Sequence, residues 1–332
     1  MRATREQVLA FRARASHLDA KLPVGSLEAA AHAGLQDSIP RAGVIGLHAR
    51  VEGVQPDSWD DPTLCQIWFR GGADYVIPRR DIAVFTLGSM PRDREGRAEI
   101  ETMTDRVLDV LDGREMRVRD VADKLELEHP TAIRLCGRSG RVLIRWNASR
   151  IWCYGCERPA MDEEDARLEL VRRFLRWFGP QTQERFAWWA GVGPTDAAQT
   201  WRSIAHGLVA VELDGTKRFV LKKDADSLAS AKPIEGVRLI HNDDPYLKAD
   251  RELVLEDAAM RERIFPAPGA SPGYIPGAVL LDGEIAGVWQ RQQRKVTIHP
   301  WRDLPVDAVE AEASSFPVAG RSEAEVRWED AG

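Results

Sequence analysis

Gln36, Asp37 and Ser38 set an amide, a carboxylate and a hydroxyl in consecutive positions, just ahead of a helix that Pro40 is suited to start. Such a trio suits hydrolysis through a cationic transition state. Cleaving an N-glycosidic bond builds an oxocarbenium-like sugar, which calls for a negative or strongly polar group beside the anomeric carbon and an oriented water. On that reading Asp37 stabilises the cation or takes the water's proton, and Gln36 orients the water. Ser38 alone is a poor base. The same residues also permit a plainer role, in which Asp37 or Ser38 caps the helix near Pro40.

A second chemistry is carried by arginine. From His129 to Trp152 the chain has no acidic residue but holds Arg134, Arg138, Arg141, Arg145 and Arg150. Guanidinium forks match phosphate oxygens, so the block suits a polyanion; the plainer reading is a solvated arginine face. Four such contacts would give a slope of log K against log salt of about −3.6. A second acid-free stretch, Gln290 to Arg302, offers Arg291, Arg294 and Lys295, with His299 placed to approach the same ligand. It reads equally as a sheet edge guarded by charge.

Other candidates carry less. Among eleven tryptophans, Trp177, Trp189 and Trp201 sit at inward helical positions and read as core, whereas Trp68, Trp146 and Trp152 fall on hairpins where a base could stack. Cys153 and Cys156 form a lone C-x-x-C with no second pair, so neither metal nor another cofactor is expected. His48, on an apolar stripe, reads as a core residue. No phosphate-binding loop, dinucleotide fingerprint or H-E-x-x-H motif occurs, which sets aside nucleotide-driven and zincin chemistry.

The elements that must hold these groups repeat a pattern of helices followed by a hairpin. In residues 1–95, Val8, Phe11, Ala15 and Leu18 form one helical face, Ser26 caps a second helix, and a third starts near Pro40. Cys65–Arg70 and Ala73–Pro78 then make a hairpin about Gly71-Gly72. In residues 96–161, Met103, Val107, Leu108 and Leu111 form a stripe, and Val118, Val121, Ala122 and Leu125 form another. A third helix runs from Pro130 to Gly140, and Arg141–Trp146 pairs with Arg150–Tyr154. Residues 162–233 repeat the order, ending in Leu208–Leu213 and Thr216–Leu221 around Asp214-Gly215, whose residues tolerate positive φ. Helices then a hairpin are the grammar of a winged helix. Residues 234–305 are rich in strands, and the acidic segment 306–332 reads as solvated and flexible.

Composition agrees with a globular protein. The 332 residues are 44% apolar and 30% charged, with net charge −6, which argues against indiscriminate adhesion to nucleic acid. Four cysteines and no long apolar run point to a reducing, non-membrane setting.

The strings AGLQDSIPRAGVIGLHARV, GRVLIRWNASR, ARLELVRRFLRWFGP, ERFAWWAGV, DDPYL and LLDGEIAGVW occur in that order. With them, residues 5–302 resemble the bacterial tandem winged-helix family that includes crosslink-unhooking DNA glycosylases of the AlkZ/YcaQ type. The resemblance implies three winged helices curved around duplex DNA and, in active relatives, removal of a cationic alkylpurine. Those relatives carry Gln, an apolar residue, then Gln or Asp where this chain has Gln36-Asp37-Ser38; Gln36 matches, while Asp37 and Ser38 depart. The expected protein is mainly α, α+β: three tandem winged-helix modules and a β-rich C-terminal region. It is expected to be a cytoplasmic, nucleoid-associated monomer that acts on double-stranded DNA as a glycosylase for alkylated or bulky-adducted purines. The alternative is a noncatalytic winged-helix DNA binder, either a regulator or a damage sensor.

Overall fold

The structure, a computed structural model, describes residues 1–248, 250–265, 275–317 and 324–329. Helix α1 (Arg5–Ala15) begins in a reciprocal cap: the Thr4 hydroxyl accepts from the Gln7 N–H and the Gln7 side chain accepts from the Thr4 N–H. After α2 (Leu27–Ala30) come β1 (Leu35–Gln36), α3 (Ala42–His48) and the hairpin of β2 (Leu64–Phe69) and β3 (Ala73–Pro78). The hairpin turns on Arg70, Gly71 and Gly72, all at positive φ. Strand β1 pairs antiparallel with β3, Leu35 opposite Val76 and Gln36 opposite Tyr75.

Next are α4 (Ile82–Thr86), α5 (Arg94–Leu111), β4 (Met116–Arg117) and α6 (Val118–Lys124), followed by β5 (Val142–Trp146) and β6 (Ile151–Gly155). The third helix expected from Pro130 is wound as 3₁₀ over Pro130–Ser139. Cys136 and Ser139 each bond back to the carbonyl three residues earlier, and a Cβ at Gly137 would come within 3.0 Å of Trp68 Cβ. The first two hairpins do not stand apart as wings. Gln66 of β2 pairs with Ile144 of β5, giving one six-stranded sheet in the order β1-β3-β2-β5-β6-β4.

The third unit holds α7 (Glu163–Phe178), α8 (Gln183–Ala190), α9 (Pro194–Ile204) and the ribbon of β7 (Leu208–Leu213) and β8 (Thr216–Leu221). Asp214 and Gly215 turn it at φ 48° and 73°, as the hairpin requires. Phe69, Tyr75 and Ile77 of the first hairpin share a core with Phe174, Phe186 and Trp189 of this unit. Beyond α10 (Ala225–Ala229), β9 (Val237–Ile240) leads to the short helices α11 (Pro245–Lys248), α12 (Arg251–Val254) and α13 (Ala258–Ile264). The chain then supplies β10 (Gly277–Leu281), β11 (Glu284–Gln292), β12 (Lys295–Pro300), α14 (Val306–Ser314) and β13 (Glu325–Trp328). The five-stranded sheet runs β13-β12-β11-β10-β9, with β13 parallel to β12.

Two expectations change here. Residues 1–95 are not one packed unit, because Val8, Leu9, Phe11 and Leu18 join the core of Val211, Leu213, Tyr246 and Leu253 rather than that of α3. The described part of 306–332 is structured, since Val309, Ala313 and Phe316 pack with Trp289. Their i, i+4, i+7 spacing is a narrow apolar stripe that the segment's net charge conceals. Overall the fold is mixed α+β, with its hairpins and helices interlocked across the units.

Candidate active site

Strand alternation divides the Gln36-Asp37-Ser38 trio between two faces. Leu35 and Asp37 are buried, Gln36 is half-buried and Ser38 is exposed. The Asp37 carboxylate is wholly enclosed: Oδ1 accepts from the Gly43 N–H at 2.8 Å and Oδ2 from Gln66 Nε2 at 3.0 Å. Arg41 Nη1 lies 3.9 Å from Oδ2. Asp37 thus caps the first turn of α3 from six residues upstream. Glycine at position 43 lets the carboxylate approach this closely, because a Cβ there would sit 3.2 Å from Asp37 Oδ1 and 3.0 Å from Val76 Cγ2 and would push both back by a few tenths of an ångström. Expected to meet a sugar directly, Asp37 faces the interior instead.

Burial pushes the Asp37 carboxyl up to about 7, against the opposing pull of the Gly43 N–H and Arg41. The folded protein keeps a proton that the unfolded chain has released, so this group's contribution falls as pH rises from about 4 to about 7. Asp37→Asn should remove a decline of a few kcal/mol from the pH profile of urea denaturation. Equal pH dependence in both proteins would contradict the assignment.

Gln36 and Ser38 form the outward pair. Gln36 Nε2 donates to Ser38 Oγ at 3.3 Å, and Gln36 Oε1 accepts from the Tyr75 hydroxyl at 3.4 Å. Ser38 Oγ also accepts from the Asp74 N–H at 3.3 Å. The Asp74 carboxyl is pushed up to about 6 by burial, with Arg134 pulling the other way. Gln66 ties this corner to the second module, its Oε1 accepting from the Trp146 N–H at 2.6 Å. Arg41 completes the tie, donating to the Trp146 carbonyl at 3.2 Å while its guanidinium lies 4.0 Å from the Trp59 ring centroid.

A sequence model of the family described as "DNA glycosylase AlkZ-like" matches residues 29–317. The chain belongs to the AlkZ-like DNA glycosylase family. It is 28% identical over 246 residues to the interstrand DNA cross-link repair glycosylase of Streptomyces sahachiroi, a match spanning 65% of each chain. It thus spans just under two thirds of that relative's length. Its fold is similar to that of the Streptomyces sahachiroi DNA glycosylase AlkZ, with a TM-score of 0.79 and 20% identity over 100% of both chains.

In this AlkZ-like chain most of the arginine block is engaged internally. Arg134 donates to the Gly72 carbonyl at 2.8 Å, and Arg138 to the carbonyls of Gly191 at 2.7 Å and Ser89 at 3.3 Å. Arg141 pairs with Asp105 at 2.7 Å and Glu101 at 3.2 Å, and Arg145 pairs with Asp60. A stretch free of acids in sequence is not free of them in space, because α5 and the loop before β2 bring carboxylates to it. Arg150 is exposed and lines a cleft of about 470 Å³ with Arg117, Arg119 and Arg134. Arg294 and Lys295 are exposed at the β11–β12 turn, whereas Arg291 and His299 are half-buried.

The aromatic expectations shift as well. Trp68 and Trp146 are buried and Trp152 is half-buried, while Trp188, not singled out from sequence, is exposed. Its neighbours Phe186 and Trp189 face inward, so the helical period alone puts position 188 outside. Gln66 and Tyr75 gave no sequence signal, since their roles come from strand pairing. Cys153 is buried, and the half-buried Cys156 donates to the Gly140 carbonyl at 3.1 Å; among the described residues no group of three or more His, Cys, Asp and Glu could hold a metal. Buried His48 meets Ser315 Oγ at 2.9 Å, and burial pulls its pKa down to about 3.

Proposed function

We propose that the protein is a DNA glycosylase that excises alkylated or bulky-adducted purines from double-stranded DNA, crosslinked purines included. It works as a monomer, without metal, in the cytoplasm on nucleoid DNA. The observation that carries the reading is the outward pair: Gln36, held by Tyr75 and Ser38, is the amide that family resemblance assigns to catalysis. A cationic purine departs with the electron pair of the N-glycosidic bond and leaves neutral, so no general acid is required. Water held by Gln36 Oε1 and Ser38 Oγ adds to C1′ and releases its proton to solvent. Negative charge on Asp37 and Asp74, behind the pair, stabilises the oxocarbenium through the protein. Burial raises these carboxyls to about 7 and about 6, so the negative charge behind the pair grows as pH rises through that range.

Incubating the protein with duplex carrying 7-methylguanine tests the reading, with free base and alkali-labile abasic sites as readouts. Duplex binding without release from alkylated, bulky or crosslinked substrates would favour a noncatalytic winged-helix binder. The departure of Ser38 from the family motif is what makes that second reading worth testing.

The DNA surface is proposed to use Arg150, Arg294 and Lys295, which are exposed. Arg150→Ala should weaken duplex binding and reduce the salt slope by about 0.9. Arg141→Ala should leave the slope unchanged, because that guanidinium is already paired with Glu101 and Asp105. Titrations between low and moderate salt separate the two. An unchanged slope in Arg150→Ala would remove this residue from the interface.

A further inference from the structure

Trp188 is 42% accessible, the most exposed tryptophan among the described residues. Its ring carries a cation, since the Arg70 guanidinium lies 3.6 Å from the ring centroid. Arg70 occupies the left-handed turn of the first hairpin and also lies at the Tyr75 hydroxyl, where it offsets part of the burial that raises that pKa. Tyr75 in turn donates to Gln36 Oε1. An exposed aromatic ring is thereby joined to the proposed catalytic amide through two intervening side chains.

The arrangement is held from behind. The end of α8 rests on the hairpin tip, where a Cβ at Gly191 would lie 3.2 Å from Arg70 Cα, and the Gly191 carbonyl accepts from Arg138 at 2.7 Å. Arg185 is exposed one turn before Trp188, on the same side of α8. Burial holds the Arg251 guanidinium below its usual range, Arg70 and Arg185 lower it further, and Asp243 opposes them. Arg70 thus lies over the Trp188 ring with Arg185 one turn away, while Arg251 lies over a different ring, 4.4 Å from the Phe265 centroid.

We propose that Trp188 is the platform on which the damaged purine stacks while Gln36 addresses its sugar. This rests on the glycosylase reading. Trp188 already accepts a planar cation on its face, and an alkylated purine is another planar cation of similar thickness. The ring's quadrupole favours such a base over a neutral one, and purine–aromatic stacking tolerates any purine skeleton. A base must leave the helical stack to be cut, and an aromatic floor compensates for the stacking it loses.

The test uses the full chain in a Gln36→Ala background, so that binding is read without cleavage, alongside kinetics in the wild-type background. Trp188→Ala should lower the preference for 7-methylguanine duplex over plain duplex by about tenfold and raise KM by a similar factor. Plain-duplex affinity should be unchanged, and Trp188→Phe should keep most of the preference. Lesion-dependent tryptophan quenching should disappear in Trp188→Phe. Wild-type base release combined with unaltered KM and lesion preference in Trp188→Ala overturns the platform alone. Lesion preference without release, abolished in Trp188→Ala, keeps the platform and overturns the excision chemistry. Equal binding of lesion and plain duplex by the parent protein overturns the platform, and base release from neither alkylated, bulky nor crosslinked duplex overturns the excision chemistry.

Discussion

Gln36→Ala is expected to lower base release from 7-methylguanine duplex by about 100- to 1000-fold, the range for removing one oriented polar group from a charged transition state. Duplex affinity should stay nearly unchanged, because the amide meets the reacting centre and not the phosphates. The side chain is free to be lost structurally: it is half-buried and its hydrogen bonds, at 3.3 and 3.4 Å, are long. Single-turnover kinetics isolates the chemical step. A variant with wild-type single-turnover rate would shift the chemistry away from this corner altogether.

Arg50→Ala should destabilise the protein by about 3–5 kcal/mol, the range for stripping one partner from a buried ion pair. Arg50 and Asp244 are both fully enclosed and meet through two parallel bonds, Nη1 to Oδ2 at 2.7 Å and Nη2 to Oδ1 at 2.8 Å. Arg50 Nη1 also donates to the Gly46 carbonyl, and Asp244 Oδ1 accepts from the Tyr246 N–H. The pair thus locks the end of α3 to the α11 turn. Deleting the guanidinium leaves a carboxylate in a dry site with no compensating cation. Replacing both partners by apolar residues of similar size, as in Arg50→Met with Asp244→Leu, should recover most of the loss. Urea denaturation of the single and double variants checks this, and a single-variant cost below about 1 kcal/mol would mean that water reaches the pair.

Hairpins were the most legible elements. Leu208–Leu213 and Thr216–Leu221 have the same bounds in sequence pattern and structure because the Asp-Gly turn is a local demand on φ, and Asp282-Gly283 repeats it between β10 and β11. The stripes of α6 and α14 show the limit of such reading: both are periodic, but acidic residues around Val309 and Ala313 masked the second. In the site, Gln36 was legible through family resemblance. That Asp37 turns inward could be anticipated only by knowing that β1 pairs with β3. The arginine block misled because its counter-charges are distant in sequence, as with Arg145 and Asp60, which are 85 positions apart.

By itself the sequence determined the local geometry: where turns can take positive φ, which faces of helices are apolar, and which family the ordered strings resemble. These follow from interactions spanning a few residues. Tertiary structure alone decided that the first two hairpins merge into one sheet through Gln66 and Ile144, that Trp188 lies over Arg70 beside Tyr75, and that most of the arginines are already paired. Those outcomes depend on which distant surfaces exclude water together, and no short-range pattern encodes that choice.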